Sequence, residues 1–298
     1  MKRVILETGT HFFYENFNSE LDNNHAILLV HGACQTSFCF RDMISKEFPM
    51  DTQYVSINLT GFGKSYNPSV TIDPLELIIQ DLYSFLTWYS IEHGIKTWDI
   101  IAYSYGTYVT LNFLMKYEPD FINKIILTAP YGIFSHTSSY GFYWAFLIKH
   151  KLYQKCISLI NTFVKFHNYV LECHNFSHDL IADGIHLDPS GAFINAPLIN
   201  NFYKLKHKVH LIYGGEDTIC PYDQGNILQI MYPDIVSRVY VLKNQDHYVL
   251  YSTEFKLLVR KILFQTPLQT NLVPSILSTF NIWKTKIDIQ YLYRKIIH

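Results

Sequence analysis

Ala26–Val30 is an unbroken apolar run, and a run without polar alternation marks a strand covered on both faces. Similar short runs recur at Tyr54–Leu59, Asp99–Ala102, Lys124–Pro130, Val209–Tyr213 and Val239–Leu242. Between them the apolar spacing changes to that of helices. Leu75, Ile78, Ile79, Leu82, Phe85, Leu86 and Tyr89 fall on one helical face, which Asp73 and Pro74 open and Gly94 closes. Further helices are expected from Cys34 to about Glu47, after Ser104 to just before Pro119, near Gln224–Met231 and over Thr253–Phe264. Two more strands, Arg3–Thr8 and His11–Phe17, are joined through Gly9 and read as an antiparallel edge hairpin. Buried strands alternating with helices predict an α/β fold, a mostly parallel eight-stranded sheet with helices on both faces.

The alternation is interrupted once. Residues 132–206 lack strand runs and read as an inserted helical cap, so residues 1–131 and 207–266 form one discontinuous core domain. Residues 267–298 form an expected helical extension, with a helix-like run from Ile282 to Ile297. A chain of 298 residues with 49% hydrophobic and 16% charged residues is long enough, and apolar enough, for a large core rather than a disordered chain. Its net charge of −1 gives no argument for a nucleic-acid partner. Five cysteines in an odd, scattered set indicate reduced thiols in an intracellular protein. The apolar stretch after Met1 is too short for a signal peptide, and no run approaches the roughly 20 apolar residues of a membrane span. The expected setting is the cytoplasm, with any membrane met at its surface. The 23 Tyr and 21 Phe exceed what a core needs, which places some of them at a binding surface.

Candidate chemistry centres on Ala102-Tyr103-Ser104-Tyr105-Gly106. A serine between small residues, after a buried strand and before a helix, has the grammar of a nucleophile turn that exposes its hydroxyl at the sheet edge. Such a serine needs a base and an orienting carboxylate. Asp217 follows a strand and the turn Gly214-Gly215, and His247 lies on the loop after the last strand. Asp217 is preferred over Glu216, which directly after the glycines points along the turn. In this reading His247 takes the Ser104 proton and Asp217 fixes the imidazole tautomer. The backbone N–H groups of Tyr105 and Ala33, with Cys34 second to Ala33, are the candidate oxyanion donors. Cys173, His174, His178 and Asp183 are potential metal ligands without a second compact ligand pair, so neither a metal nor a cofactor is expected. Gly61-Phe62-Gly63-Lys64-Ser65 lacks the upstream glycine of a phosphate loop.

Together His31-Gly32-Ala33-Cys34, Asn58-Leu59-Thr60-Gly61-Phe62-Gly63-Lys64-Ser65, the serine turn, Gly214-Gly215-Glu216-Asp217 with Pro221, and Asp246-His247 resemble the α/β-hydrolase superfamily over residues 25–265. Within it, Ala129-Pro130-Tyr131-Gly132, Pro189-Ser190-Gly191-Ala192-Phe193 and His247-Tyr248-Val249-Leu250-Tyr251 resemble the branch of N-acylphospholipid lipases, cardiolipin deacylases and the lipid-droplet lipase co-activator. That branch implies ester hydrolysis or acyl transfer on membrane lipids. Ser252 stands where the branch often has an aspartate of a proposed acyltransferase motif, and Asn58 replaces the aspartate common before the Gly-x-Gly loop. The co-activator members lack the serine that this chain keeps.

The insertion adds a hint about substrate. From Phe121 to Leu171 there is no Asp or Glu, while Lys124, Lys149, Lys151, Lys155 and Lys165 accompany the aromatic-rich stretch Tyr140–Ile148. A cationic, aromatic cap suits an anionic membrane surface and an acyl chain. The same residues also suit a cap core with a solvated basic face. The sequence therefore predicts a serine esterase acting on acylglycerols or (lyso)phospholipids, with peripheral membrane contact through the cap. Acyl transfer, thioester hydrolysis and a non-catalytic lipid-surface module remain the alternatives, and the oligomeric state is not legible.

Overall fold

The computed structural model describes residues 1–21, 23–33, 35–69, 72–134 and 198–264. The chain separates into compact units Met1–Leu263 and Phe264–His298, and the sheet lies wholly within the first. The expected extension over 267–298, residues 135–197 of the expected cap, the Cys173–Asp183 cluster and the second-choice oxyanion donor Cys34 lie outside the described residues.

Eight strands form one sheet: β1 (Lys2–Ile5), β2 (His11–Phe17), β3 (His25–Val30), β4 (Gln53–Ile57), β5 (Thr97–Tyr103), β6 (Ile122–Thr128), β7 (Val209–Gly214) and β8 (Val236–Leu242). Their order is β1-β2-β4-β3-β5-β6-β7-β8. The β1–β2 and β2–β4 pairs are antiparallel and the other pairs parallel. This is the mostly parallel α/β architecture that the alternation predicts. Helices α1 (Arg41–Glu47), α2 (Pro74–His93), α3 (Tyr105–Tyr117), α4 (Asp223–Met231) and α5 (Thr253–Phe264) connect and flank the strands. Among the described residues no helix is long and apolar enough to cross a membrane.

The central strands are as dry as their sequence requires: Ala26 to Val30 are all fully buried, as are Ile100 to Ala102 and Ile125 to Leu127. Helix α2 begins where Asp73 accepts the N–H groups of Leu75 and Glu76, and ends at Gly94, whose φ of 69° suits a residue without a Cβ. The fully buried Asp81 on α2 ties three segments together. Its carboxylate accepts hydroxyls from Thr8 and Thr10 beside the β1–β2 turn and from Thr60 after β4. Burial raises its pKa, and the three hydroxyls pull the other way.

Several boundaries differ from the sequence reading, each for a local reason. β1 stops at Ile5 because Leu6–Thr10 closes on itself, with Leu6 N–H donating to Thr10 O and Gly9 N–H to Leu6 O. β6 stops at Thr128 because Ala129 turns to a φ of 44°. β8 starts earlier, at Val236, where exposed Ser237 and Arg238 on an edge strand carry no apolar signal. A 3-10 turn, Ser37–Phe40, precedes α1.

This topology determines where a site can form. β3 and β5 are neighbours, yet the chain leaves β3 toward β4 on one side and returns to β5 on the other. In open α/β sheets the crevice beyond the carboxyl ends of strands at such a reversal is where ligands bind. The loop His31–Ala33 and Ser104 both lie there, directly after β3 and β5. The described segments after β6 and before β7 pair with each other, Leu198 N–H donating to Gly132 O (3.0 Å) and Ile199 N–H to Ile133 O (2.8 Å).

Candidate active site

Ser104 sits between β5 and α3 at φ 49° and ψ −118°, a conformation that costs a non-glycine residue of order 1–3 kcal/mol. The surroundings hold it there. Ser104 N–H donates to Thr128 O at 2.9 Å, and Thr107 donates its hydroxyl to Ser104 O at 2.6 Å. The same Thr107 hydroxyl accepts the Tyr131 N–H at 2.9 Å, so the loop after β6 is tied to the serine turn. Gly106 is required by close approach: a Cβ there would lie 2.5 Å from His31 O and 2.6 Å from Val30 O. Ala102 is fully buried, with β5 paired to Val30 of β3 and Leu127 of β6 at that position.

The acid and histidine loops are held against each other by a second glycine. A Cβ on Gly214 would lie 2.2 Å from Asp246 O and 2.4 Å from Gln245 O, and Glu216 N–H donates to Gln245 O at 2.8 Å. With the loops so placed, Asp217 Oδ2 accepts from His247 Nδ1 at 2.8 Å, and His247 Nε2 accepts the Ser104 hydroxyl at 2.9 Å. Asp217 Oδ1 accepts the backbone N–H groups of Ile219 and Cys220, each at 2.8 Å. Glu216, the acid not chosen, is exposed. Gly214→Ala is expected to displace the histidine loop and lower turnover about 10²-fold, the effect of misplacing a reacting group by an ångström. Steady-state kinetics beside a thermal melt will check it, and near-normal turnover would contradict the close-approach argument.

Asp217, Cys220 and His247 offer ligand atoms within 4.8 Å of one another. Their chemistry fits a hydrogen-bonded acid and imidazole better than a metal. Burial pushes the Cys220 thiol well above its usual range, with the Asp217 charge adding to the shift. The carboxylate and the imidazole are already committed to each other.

The loop that carries Ala33, the candidate oxyanion donor, also holds a residue that the sequence reading quoted in a motif but gave no role of its own. His31 is fully buried; its Nδ1–H donates to Gly32 O at 2.7 Å and its Nε2 accepts the Leu59 N–H at 3.0 Å. Gly32 C=O and Ala33 N–H belong to one planar trans peptide and point in opposite directions, so holding the carbonyl aims the Ala33 N–H. Tyr105 opens α3, where first-turn N–H groups point out of the helix end. Burial lowers the His31 pKa from 6.5 to about 4, partly opposed by the Gly32 hydrogen bond. The folded value lies below the unfolded one, so stability is complete above about pH 6.5 and falls as the pH drops toward 4, by about 3 kcal/mol in the limit. Urea midpoints at pH 7 and 4.5 should show His31→Gln losing less stability on acidification than the wild type. Equal losses would contradict this.

A serine turn after a central strand, an acid loop and a histidine loop, in that chain order on this sheet, define an α/β hydrolase of the serine-hydrolase class. The chain matches the serine aminopeptidase S33 family over residues 22–179, and it belongs to that family. No curated protein sequence matches it significantly. Among solved structures it is similar to an esterase from Exiguobacterium antarcticum, with a TM-score of 0.66 at 13% identity over 88% of this chain and 98% of that one. It is also similar to a thermophilic esterase from Thermogutta terrifontis (0.66, 16%, 88% and 98%). An α/β hydrolase from a Medee basin deep-sea metagenome library matches over 91% of this chain and all of that one, at 18% identity and a TM-score of 0.65. At these identities the likeness is one of fold.

Proposed function

We propose that this α/β hydrolase cleaves carboxylic esters through an acyl-enzyme on Ser104, and that its substrates are acylglycerols or (lyso)phospholipids. The observation that carries the chemistry is the hydrogen-bonded chain from Ser104 Oγ through His247 to Asp217, at 2.9 and 2.8 Å. Ser104 Oγ attacks the ester carbonyl as His247 Nε2 takes its proton. The tetrahedral oxyanion is held by the N–H groups of Tyr105 and Ala33. Collapse expels the alcohol, which takes the proton from His247. Water, deprotonated by the same imidazole, then attacks the acyl-serine, and as the acyl–Oγ bond breaks the acid is released and His247 returns the proton to Ser104 Oγ. Asp217 keeps the proton on Nδ1 and stabilises the imidazolium.

The lipid assignment is supported by the composition of the insertion, whose lysines and aromatics suit an anionic interface and an acyl chain. Its stem begins at Gly132, one residue after Tyr131, which Thr107 holds to the serine turn. We assign to a cap entered beside the serine turn the selection of what reaches Ser104, and to its lysines the membrane contact.

Lipid-class profiling tests the proposal. Purified protein and a Ser104→Ala control are given mono-, di- and triacylglycerols, phospholipids and lysophospholipids, with short p-nitrophenyl esters and aminoacyl p-nitroanilides alongside. Serine-dependent release of fatty acid from a glycerolipid is expected. The aminoacyl amides are included because of the family's name, and their faster cleavage would replace the ester reading with a peptidase one. Turnover confined to short soluble esters would refute the lipid assignment alone.

A further inference from the structure

Tyr103 ends β5 and directly precedes Ser104, and it touches both loops that the reaction needs. Its hydroxyl donates to the backbone carbonyl of His247 at 2.8 Å. Its ring lies beside the imidazole, with centroids 5.6 Å apart and planes tilted by 37°. The same ring fills the space beside the oxyanion loop, for a Cβ on Gly32 would lie 3.0 Å from Tyr103 Cδ1 and 3.1 Å from Cε1. A Cβ on Gly32 would therefore press on the Tyr103 ring and on Gln35 Oε1, 3.1 Å away.

A second connection joins the same two loops from the other side. Gly32 N–H donates to Gln35 Oε1 at 3.1 Å, and Gln35 N–H donates to Gly32 O at 3.3 Å. Gln35 Nε2 in turn donates to Tyr251 Oη at 2.9 Å. Tyr251 belongs to the short 3-10 turn Val249–Tyr251 that comes after His247. The contacts form a closed circuit from Tyr103 to His247, along the backbone to Tyr251, through Gln35 to Gly32, and back to the Tyr103 ring.

We propose that Tyr103 is a positioning residue that sets the histidine loop and the oxyanion loop in one common geometry, with Gln35 and Tyr251 closing the circuit. A tyrosine that only filled the core would need some acceptor for its buried hydroxyl. This one uses the carbonyl of the base itself while its ring bears on the donor loop. Burial above all, reinforced by the neighbouring tyrosines, raises its pKa well above 10, so the hydroxyl remains a donor at any working pH. The circuit explains how two loops that meet only beyond the sheet edge are kept in register with Ser104. The proposal rests on the serine-hydrolase reading of the site.

The test is kinetic and uses the full chain. Tyr103→Phe keeps the ring and removes one hydrogen bond; Gln35→Ala opens the circuit from the half-buried side. Each is expected to lower kcat on a short p-nitrophenyl ester about fivefold, with KM unchanged, since the aligned geometry matters in the transition state. The rate of fluorophosphonate labelling should fall in parallel. The double variant should lose less than the product of the single losses, because a circuit opened once has little left to lose. Tyr103→Leu, which lacks the ring as well, should lose about a further tenfold. A Tyr103→Phe protein with wild-type kcat and labelling rate would overturn the proposal, as would a loss that disappears on cooling in step with recovered folding, or losses that multiply. If Tyr103→Phe does not fold, Gln35→Ala and Tyr251→Phe carry the same kinetic test. Absence of labelling in the wild type would overturn the serine-hydrolase reading and this proposal with it; normal wild-type labelling with unchanged variants would overturn only the second.

Discussion

Ser104→Ala is expected to lower kcat for ester hydrolysis by roughly 10⁴–10⁶-fold while the protein stays folded. The size of the loss follows from what the hydroxyl does. Without Oγ there is no acyl-enzyme, and the residual rate is what the amide donors and substrate binding supply alone. The stability cost is small for a separate reason. The Ser104 side chain gives its hydrogen bond to His247, at 2.9 Å, whereas the turn is held by backbone bonds to Thr128 and by the Thr107 hydroxyl. Alanine retains all of those. Circular dichroism and a thermal melt should match the wild type, while a p-nitrophenyl ester assay falls to background. A folded Ser104→Ala protein that kept more than about a hundredth of the wild-type kcat would be incompatible with a serine nucleophile.

Asp217→Asn is expected to cost about 10³–10⁴-fold in kcat near pH 7, and its geometry explains why. The two backbone N–H groups of Ile219 and Cys220, each 2.8 Å from Oδ1, demand an acceptor there. The asparagine oxygen takes that place and turns its NH₂ group toward His247 Nδ1. A donor then faces Nδ1, which must accept, and the imidazole proton moves to Nε2. In that tautomer Nε2 cannot take the Ser104 proton. Side-chain volume hardly changes, so packing should survive. The checks are kcat on a short ester and the rate of fluorophosphonate labelling, both of which should fall together. A variant within tenfold of wild type would remove Asp217 from the role assigned to it.

Much of this architecture is legible in the sequence because it depends on local chemistry. The apolar run Ala26–Val30 has no polar position to expose, and Asp73-Pro74 with Gly94 delimits α2 by capping alone. Ser104, Asp217 and His247 could be found because each comes after a strand in a known order, and the structure brings all three into hydrogen-bond contact. Ala33 lies on the loop after β3 and Tyr105 opens α3. What was not legible depends on contacts between distant segments. Tyr103 and His247 are separated by 144 positions, and no spacing rule connects them. Gln35 and Tyr251 are 216 apart. Gly214 looks like an ordinary turn glycine until the carbonyl of Asp246 is seen to occupy the space of a Cβ. His31 looks like a loop histidine, and only its burial between Gly32 O and Leu59 N–H reveals what it orients. The excess of aromatics is divided. Phe12, Tyr14, Phe85, Tyr89 and Trp98 build the core beside α2, while Tyr203, Tyr222, Tyr248 and Tyr251 are exposed.

The proposed covalent intermediate on Ser104 is the step on which the whole mechanism depends, and trapping tests it. Wild-type protein is treated with a fluorophosphonate, digested, and mapped by peptide mass spectrometry, with Ser104→Ala and His247→Ala treated in parallel. One phosphonyl adduct is expected, on Ser104, absent from the Ser104→Ala protein and formed far more slowly without His247. An adduct on another residue, or an unlabelled wild-type protein that still hydrolyses esters, would contradict that assignment.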